Sequence, residues 1–285
     1  MKRWLPLFGI ITIVGALAST IGLTYGQIRY YPRRFSTERL QTQLPENRNG
    51  VPLWDVDPAF KHDVFTFVRI EYDSYARPGA WFTDFPDADL NLSFRLQQLT
   101  SLKVDPNGRI MRLTDPDLFQ YPFIYLIEPG HIMLGPDEIE ALRRYLLNGG
   151  FLMVDDFWGQ NEWQGFYTVI KQVFPEPEYE PVELDLDHQI FHCVYDLKEK
   201  PQIPAIQVAI NGRESGITWE RADARTPDYR AIYDRNGRMM AIICHNTDLG
   251  DGWEREGEDP WYFTEFSEKK AYPLGINIIF YAMTH

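Results

Sequence analysis

Gly149-Gly150-Phe151-Leu152-Met153-Val154-Asp155-Asp156-Phe157-Trp158-Gly159 is an apolar run that opens on a double-glycine turn and stops at two carboxylates. Consecutive apolar residues with no alternation suit a strand covered on both faces, the habit of parallel sheets. Upstream, Phe123-Ile124-Tyr125-Leu126-Ile127 reads as a second such strand, ending at Glu128-Pro129-Gly130-His131. Between the two lies a helix that starts at Gly135-Pro136-Asp137-Glu138, with Pro in first position and acids in the first turn. Its apolar stripe is Ile139, Leu142 and Leu146, and Asn148-Gly149-Gly150 closes it. A right-handed crossover makes the two strands parallel neighbours. Glu128, His131, Asp155 and Asp156 then share the carboxyl edge, where open α/β sheets bind ligands.

Toward the N-terminus, 63–72 alternates as a strand, 75–86 is an aromatic-rich loop, and 87–99 reads as a helix with Leu92, Leu96 and Leu99 on one face, capped by Asp87 or Asp89. Asp105-Pro106-Asn107-Gly108 between 100–104 and 109–113 is a hairpin signature. Toward the C-terminus a second helix is expected over 162–173. A hairpin at Asn236-Gly237 joins 229–233 to 239–244, and a terminal helix starts near Phe263 with Ile276, Ile279 and Phe280. Strand 239–244 runs into His245-Asn246-Thr247-Asp248-Leu249-Gly250-Asp251-Gly252-Trp253-Glu254, the densest polar constellation in the chain.

The chain has 285 residues, 44% hydrophobic and 15% aromatic, enough for a full core. Its net charge is −13; residues 1–40 hold six basic side chains against Glu38 alone, +5, so 41–285 stands at −18. An acidic body of this kind repels nucleic acid. Trp4 to Ile28 is free of charge after Lys2-Arg3 and reads as a signal peptide or membrane anchor, with 29–60 a linker and 61–285 the domain. The expectation is a body exported to the cell envelope, periplasmic or membrane-anchored.

Phe82-Thr83-Asp84-Phe85-Pro86, the 149–158 stretch, Cys244 to Glu254 and Tyr272-Pro273-Leu274-Gly275-Ile276-Asn277 together resemble the bacterial family called domain of unknown function 4159, over about 61–285. The resemblance implies a flavodoxin-like three-layer sandwich around a mostly parallel sheet, of the class I glutamine amidotransferase-like type, similar to trehalose-utilisation proteins through Asp187-His188-Gln189-Ile190. It also implies company with MoxR-type ATPases and von Willebrand factor A domain proteins in an envelope complex. A glutaminase needs a cysteine on the turn after strand 151–154, and here that turn carries Asp155 and Asp156. Amide transfer is therefore not expected.

The candidate catalytic residues are Asp155, Asp156 and His245, for hydrolysis with or without a metal. One of the two aspartates should face the cleft, because neighbours on a strand point to opposite faces. Glu128, Trp158, Asn246, Asp248, Asp251, Trp253 and Glu254 are candidate ligand-binding residues. Asp248, Asp251 and Glu254 offer a hard divalent cation three carboxylates on one loop, and carboxylates beside tryptophans suit a carbohydrate. The leading reading is a binding or scaffold module; the alternative is the hydrolase. Helix capping, turn formation and ordinary core packing account for the same residues without function.

Overall fold

The computed structural model describes residues 48–60 and 63–285; the apolar segment 4–28 and most of the linker lie outside them. Among the described residues no helix is long and apolar enough to cross a membrane.

The chain builds an α/β fold around one seven-stranded sheet. The strands are β1 (Val68–Ile70), β3 (Arg109–Met111), β4 (Phe123–Ile127), β6 (Phe151–Asp155), β7 (Val182–Glu183), β8 (Asp228–Tyr233) and β9 (Met239–His245), and short β2 (Asp73–Ser74) and β5 (Ile132–Met133) form a separate antiparallel pair. The sheet order is β3-β1-β4-β6-β9-β8-β7. From β3 to β9 every pairing is parallel; β8 runs antiparallel to β9 and to β7. Numbered along the chain, the five parallel strands lie 2-1-3-4-5, the flavodoxin-like order, with its switch point between β1 and β4. The expected neighbours β4 and β6 pair parallel from Phe123↔Phe151 to Ile127↔Asp155. The Asn236-Gly237 hairpin is present as β8 and β9.

Alternation along these buried strands feeds two cores. Tyr125, Met153 and Cys244 point into one, with α1 (Asp87–Leu99) and the C-terminal helix. Leu126, Val154 and Ile243 point into the other, with α2 (Pro136–Leu147) and α3 (Gly159–Val173). The result is helix layers on both faces of the sheet. The helix α4 (Ile206–Gly212) and α5 (Leu249–Glu254) follow, then a helical run of α6 (Pro260–Tyr262), a π-helical stretch Phe263–Ala271 and α7 (Tyr272–Thr284). Cys193 and Cys244 are both free.

The structure departs from the sequence reading in three places. The segments around Asp105–Gly108 do not form a hairpin: Val104 bridges Phe65 and Arg109 pairs with Val68, both parallel, so the turn is a jog in one edge strand. Gly108, at φ 63°, makes this possible, since a Cβ there would sit 3.0 Å from the Phe67 carbonyl oxygen. Leu99 is 52% exposed at the end of α1, while Leu92 and Leu96 are buried. Neither Asp87 nor Asp89 caps α1; Pro86 stands at that position, and Asp89 is buried against Arg69. The described part of the linker, for its, part, is tied to the domain edge, with Trp54 Nε1 donating to the Val104 carbonyl at 2.8 Å.

A candidate acidic site at the carboxyl edge

Beyond the carboxyl ends of β4, β6 and β9 lies a cavity of about 530 Å³. Glu128, Asp156, Trp158, Asp248 and Asp251 line it, joined by Thr83 and Asp84 from the 75–86 loop and by Arg77, Arg221 and Arg255. Five non-glycine residues among those described have positive φ, and four of them stand at this edge: Asp84 (62°), Glu128 (48°), Asp156 (52°) and Asn246 (61°). Such conformations are unfavourable for side chains with a Cβ and concentrate where a site demands them.

Each carboxylate is delivered by a different device. Asp156 follows the last residue of β6, and its left-handed backbone turns it into the cavity; its Oδ1 accepts from Trp158 Nε1 at 3.1 Å. Asp248 caps α5, its Oδ1 accepting from the Asp251 amide at 2.7 Å. Asp251 Oδ2 accepts from the Ile206 amide at 2.6 Å. Asp84 arrives on a loop pinned by Arg69, whose buried guanidinium donates to the carbonyls of Trp81 (3.1 Å) and Thr83 (2.8 Å) and to Asp89. Gly250 makes room for Asp84, because a Cβ at 250 would meet Asp84 Oδ2 at 2.3 Å.

One carboxylate oxygen each from Asp84, Asp156 and Asp248 lie within 4.8 Å of one another, and the same holds for Asp84, Asp251 and Glu254. Burial pushes Asp84, Asp156 and Asp248 well above the usual carboxylate range, and neighbouring carboxylates push the same way. Glu128 and Asp251 are raised by burial too, partly offset by Arg77 and by the Ile206 amide respectively. The rim arginines are all engaged: Arg77 with Glu128, Arg221 with Glu162, and Arg255 with Glu254 (2.6 Å), Glu258 (3.0 Å) and Asp251 (3.4 Å).

Of the other residues picked from sequence, Asp155, His245, Asn246, Trp253 and Glu254 lie off the cavity. Asp155 is wholly buried beneath it; Oδ2 accepts from Tyr125 Oη and the Gly250 amide, both at 3.0 Å, and burial pushes its pKa up to about 7. His245 follows Cys244 on β9 and so points to the opposite face. Its ring packs on Phe157 and Trp163, with Nε2 3.1 Å from the Gly159 carbonyl oxygen and Nδ1 3.6 Å from Asp228. Asn246 locks loops together, accepting from the Gly159 amide (2.8 Å) and donating to the Thr226 carbonyl (3.0 Å). Trp253 is core, against Phe67 and Tyr125. Glu254 lines an adjacent groove, and burial raises it to about 7. Trp158 lines the cavity but is 3% exposed, too little for a ligand to stack on its ring.

Sequence reasoning missed Asp84. In the sequence it stands only within the Phe82-Thr83-Asp84-Phe85-Pro86 motif of the family resemblance, and the signal that could have found it is the buried Arg69 in β1, which needs partners from that loop. A comparison with the curated proteins finds no match. The family model described as "Domain of unknown function (DUF4159)" matches residues 66–283, and the chain belongs to that family.

Proposed function

We propose that the cavity binds a small hydroxyl-rich ligand of the polyol or carbohydrate class, and that the domain is a binding module. The observation that carries this is the chemistry of the cavity floor. Asp84, Asp156, Asp248 and Asp251 are acceptors when ionised, and the nearby arginines are already paired, so the site lacks donors that a ligand's hydroxyl groups would supply. Contact is through hydrogen bonds rather than ring stacking, given the buried Trp158. The test is saturation-transfer NMR of the full chain with a panel of neutral polyols and disaccharides. Binding that Asp156→Asn and Glu128→Gln both abolish supports the reading; no binding across the panel, or binding that survives both changes, sinks it.

A hydrolase is the second reading, favoured by one observation. Asp156 occupies a left-handed strand-to-helix turn between β6 and α3, where the amidotransferase-like enzymes that the sequence resembles hold their cysteine. The same turn supports an amidotransferase-like ancestry. Asp248 is nearer the chemistry than His245 in this reading, since Asp156 and Asp248 both line the cavity. Turnover of ester, amide or glycoside model substrates, lost in Asp156→Asn, would favour it. Export, membrane tethering through 4–28, and an envelope complex with MoxR-type ATPases and von Willebrand factor A domain proteins belong to the same proposal. Their support is the N-terminal sequence and the family resemblance.

A further inference from the structure

Asp84, Asp156 and Asp248 sit at the cavity floor without an ion pair of their own; Glu220, also unpaired among the described residues, accepts from the Ala205 amide at 2.8 Å, and Arg69, which acts on Asp84 electrostatically, is committed to Asp89. Among the described residues none of the three forms an ion pair, whereas Glu128 has Arg77 and both Asp251 and Glu254 have Arg255. The three are 8%, 8% and 4% exposed. Concentrating three buried acids without a cation is unfavourable unless they are protonated or share a ligand. A second, independent observation points to a ligand. Asp84 Oδ2 is buried and finds no hydrogen-bond donor, although Asp156 and Asp248 each satisfy one oxygen with a nearby N–H. A buried oxygen left without a donor in this way is what a bound cation would satisfy.

Oxygen atoms around a calcium ion stand about 2.3–2.6 Å from it, so ligand oxygens on one ion lie within about 5 Å of each other. The three aspartates meet that spacing, with oxygens within 4.8 Å. The donors are all oxygen, with no Cys or His in the group, which selects hard cations over zinc or copper. We infer that Asp84, Asp156 and Asp248 hold one hard divalent cation of the calcium, magnesium or manganese class at the floor of the cavity. The site differs from the loop cluster of Asp248, Asp251 and Glu254 expected from sequence, because Arg255 already neutralises the last two. Three protein ligands leave coordination positions for water or for ligand oxygens, so the site is open toward the cavity.

Calorimetric titration of calcium, magnesium and manganese chlorides into the EDTA-treated, dialysed full chain at pH 8 tests this with the metal alone. The expected result is one site tighter than about 1 mM for at least one of the three. Asp84→Asn, Asp156→Asn and Asp248→Asn should each weaken it tenfold or more, while Asp185→Asn, an exposed carboxylate outside the cavity, leaves it unchanged. A thermal melt run alongside reports folding: the three variants should melt at or above the metal-free wild type and lose the rise that the cation induces. Absence of binding at millimolar concentration, or binding retained by the three variants, overturns the inference. Because no polyol enters the experiment, its outcome is independent of the reading proposed above.

Discussion

The Arg69 guanidinium, wholly buried, faces Asp89 across the start of α1, with Nε 3.0 Å from Asp89 Oδ2. The same side chain holds the carbonyls of Trp81 and Thr83 and lies over the rings of Tyr125 and Phe85. One ion pair thus joins β1, α1 and the loop that presents Asp84. Removing one partner leaves an uncompensated buried charge, so Arg69→Leu or Asp89→Leu should each cost about 3–5 kcal/mol in urea unfolding. The double replacement should cost less than the sum of the two. Additive losses would show that the pair does not act as a unit.

The carboxylates at the edge predict an inverted pH dependence. Asp155 and Glu254 titrate near 7 when folded, against 3.8 and 4.5 ordinarily, and Asp84, Asp156 and Asp248 are raised as well. Between the ordinary and the folded values the native state binds more protons than the unfolded chain. Stability therefore falls as pH rises from about 4 to about 7 through these groups. Urea midpoints measured in EDTA should be lower at pH 8 than at pH 5.5. A profile that is flat or rising over that interval would refute the assignment of raised values to this cluster.

Gly250 should be irreplaceable for steric reasons. A Cβ would stand 2.3 Å from Asp84 Oδ2, on a buried side chain, and 3.1 Å from Tyr125 Oη, which is held by Asp155. Gly250→Ala is expected to destabilise by about 1–3 kcal/mol and to shift Asp84. Wild-type stability in that variant would mean that the loop carrying Asp84 yields easily.

His245→Gln gives the converse result. The ring is packed against Phe157 and Trp163 and turned from the cavity, so replacement should lower the melting temperature and leave ligand or cation affinity within twofold. An affinity loss as large as that of Asp156→Asn would return His245 to the site.

The β4-α2-β6 unit was legible in sequence because its signals agree: two apolar runs, Pro136 at the helix start and a double glycine at its end. The approach of loop 245–254 to β6 was legible for a related reason, since a nearly continuous apolar strand must lie centrally, and β9 does pair with β6. Local signals failed where a partner decides. Asn107-Gly108 permits either a return or a jog, and the neighbouring β1 selects the jog. The place of His245 off the cavity is contained in the alternation of β9, with Cys244 in one core and the next residue on the other face. Asp84 depends on a tether from Arg69 that no local pattern announces.

The three unpaired aspartates come from the loop before α1, the turn after β6 and the cap of α5, which are far apart along the chain and meet only once the sheet is assembled. A ligand shared among them would act as a reversible cross-link between distant segments of the chain. Its occupancy would then report the integrity of the whole fold, and a proteolytic nick anywhere between residues 84 and 248 would register as weaker binding before any loss of secondary structure.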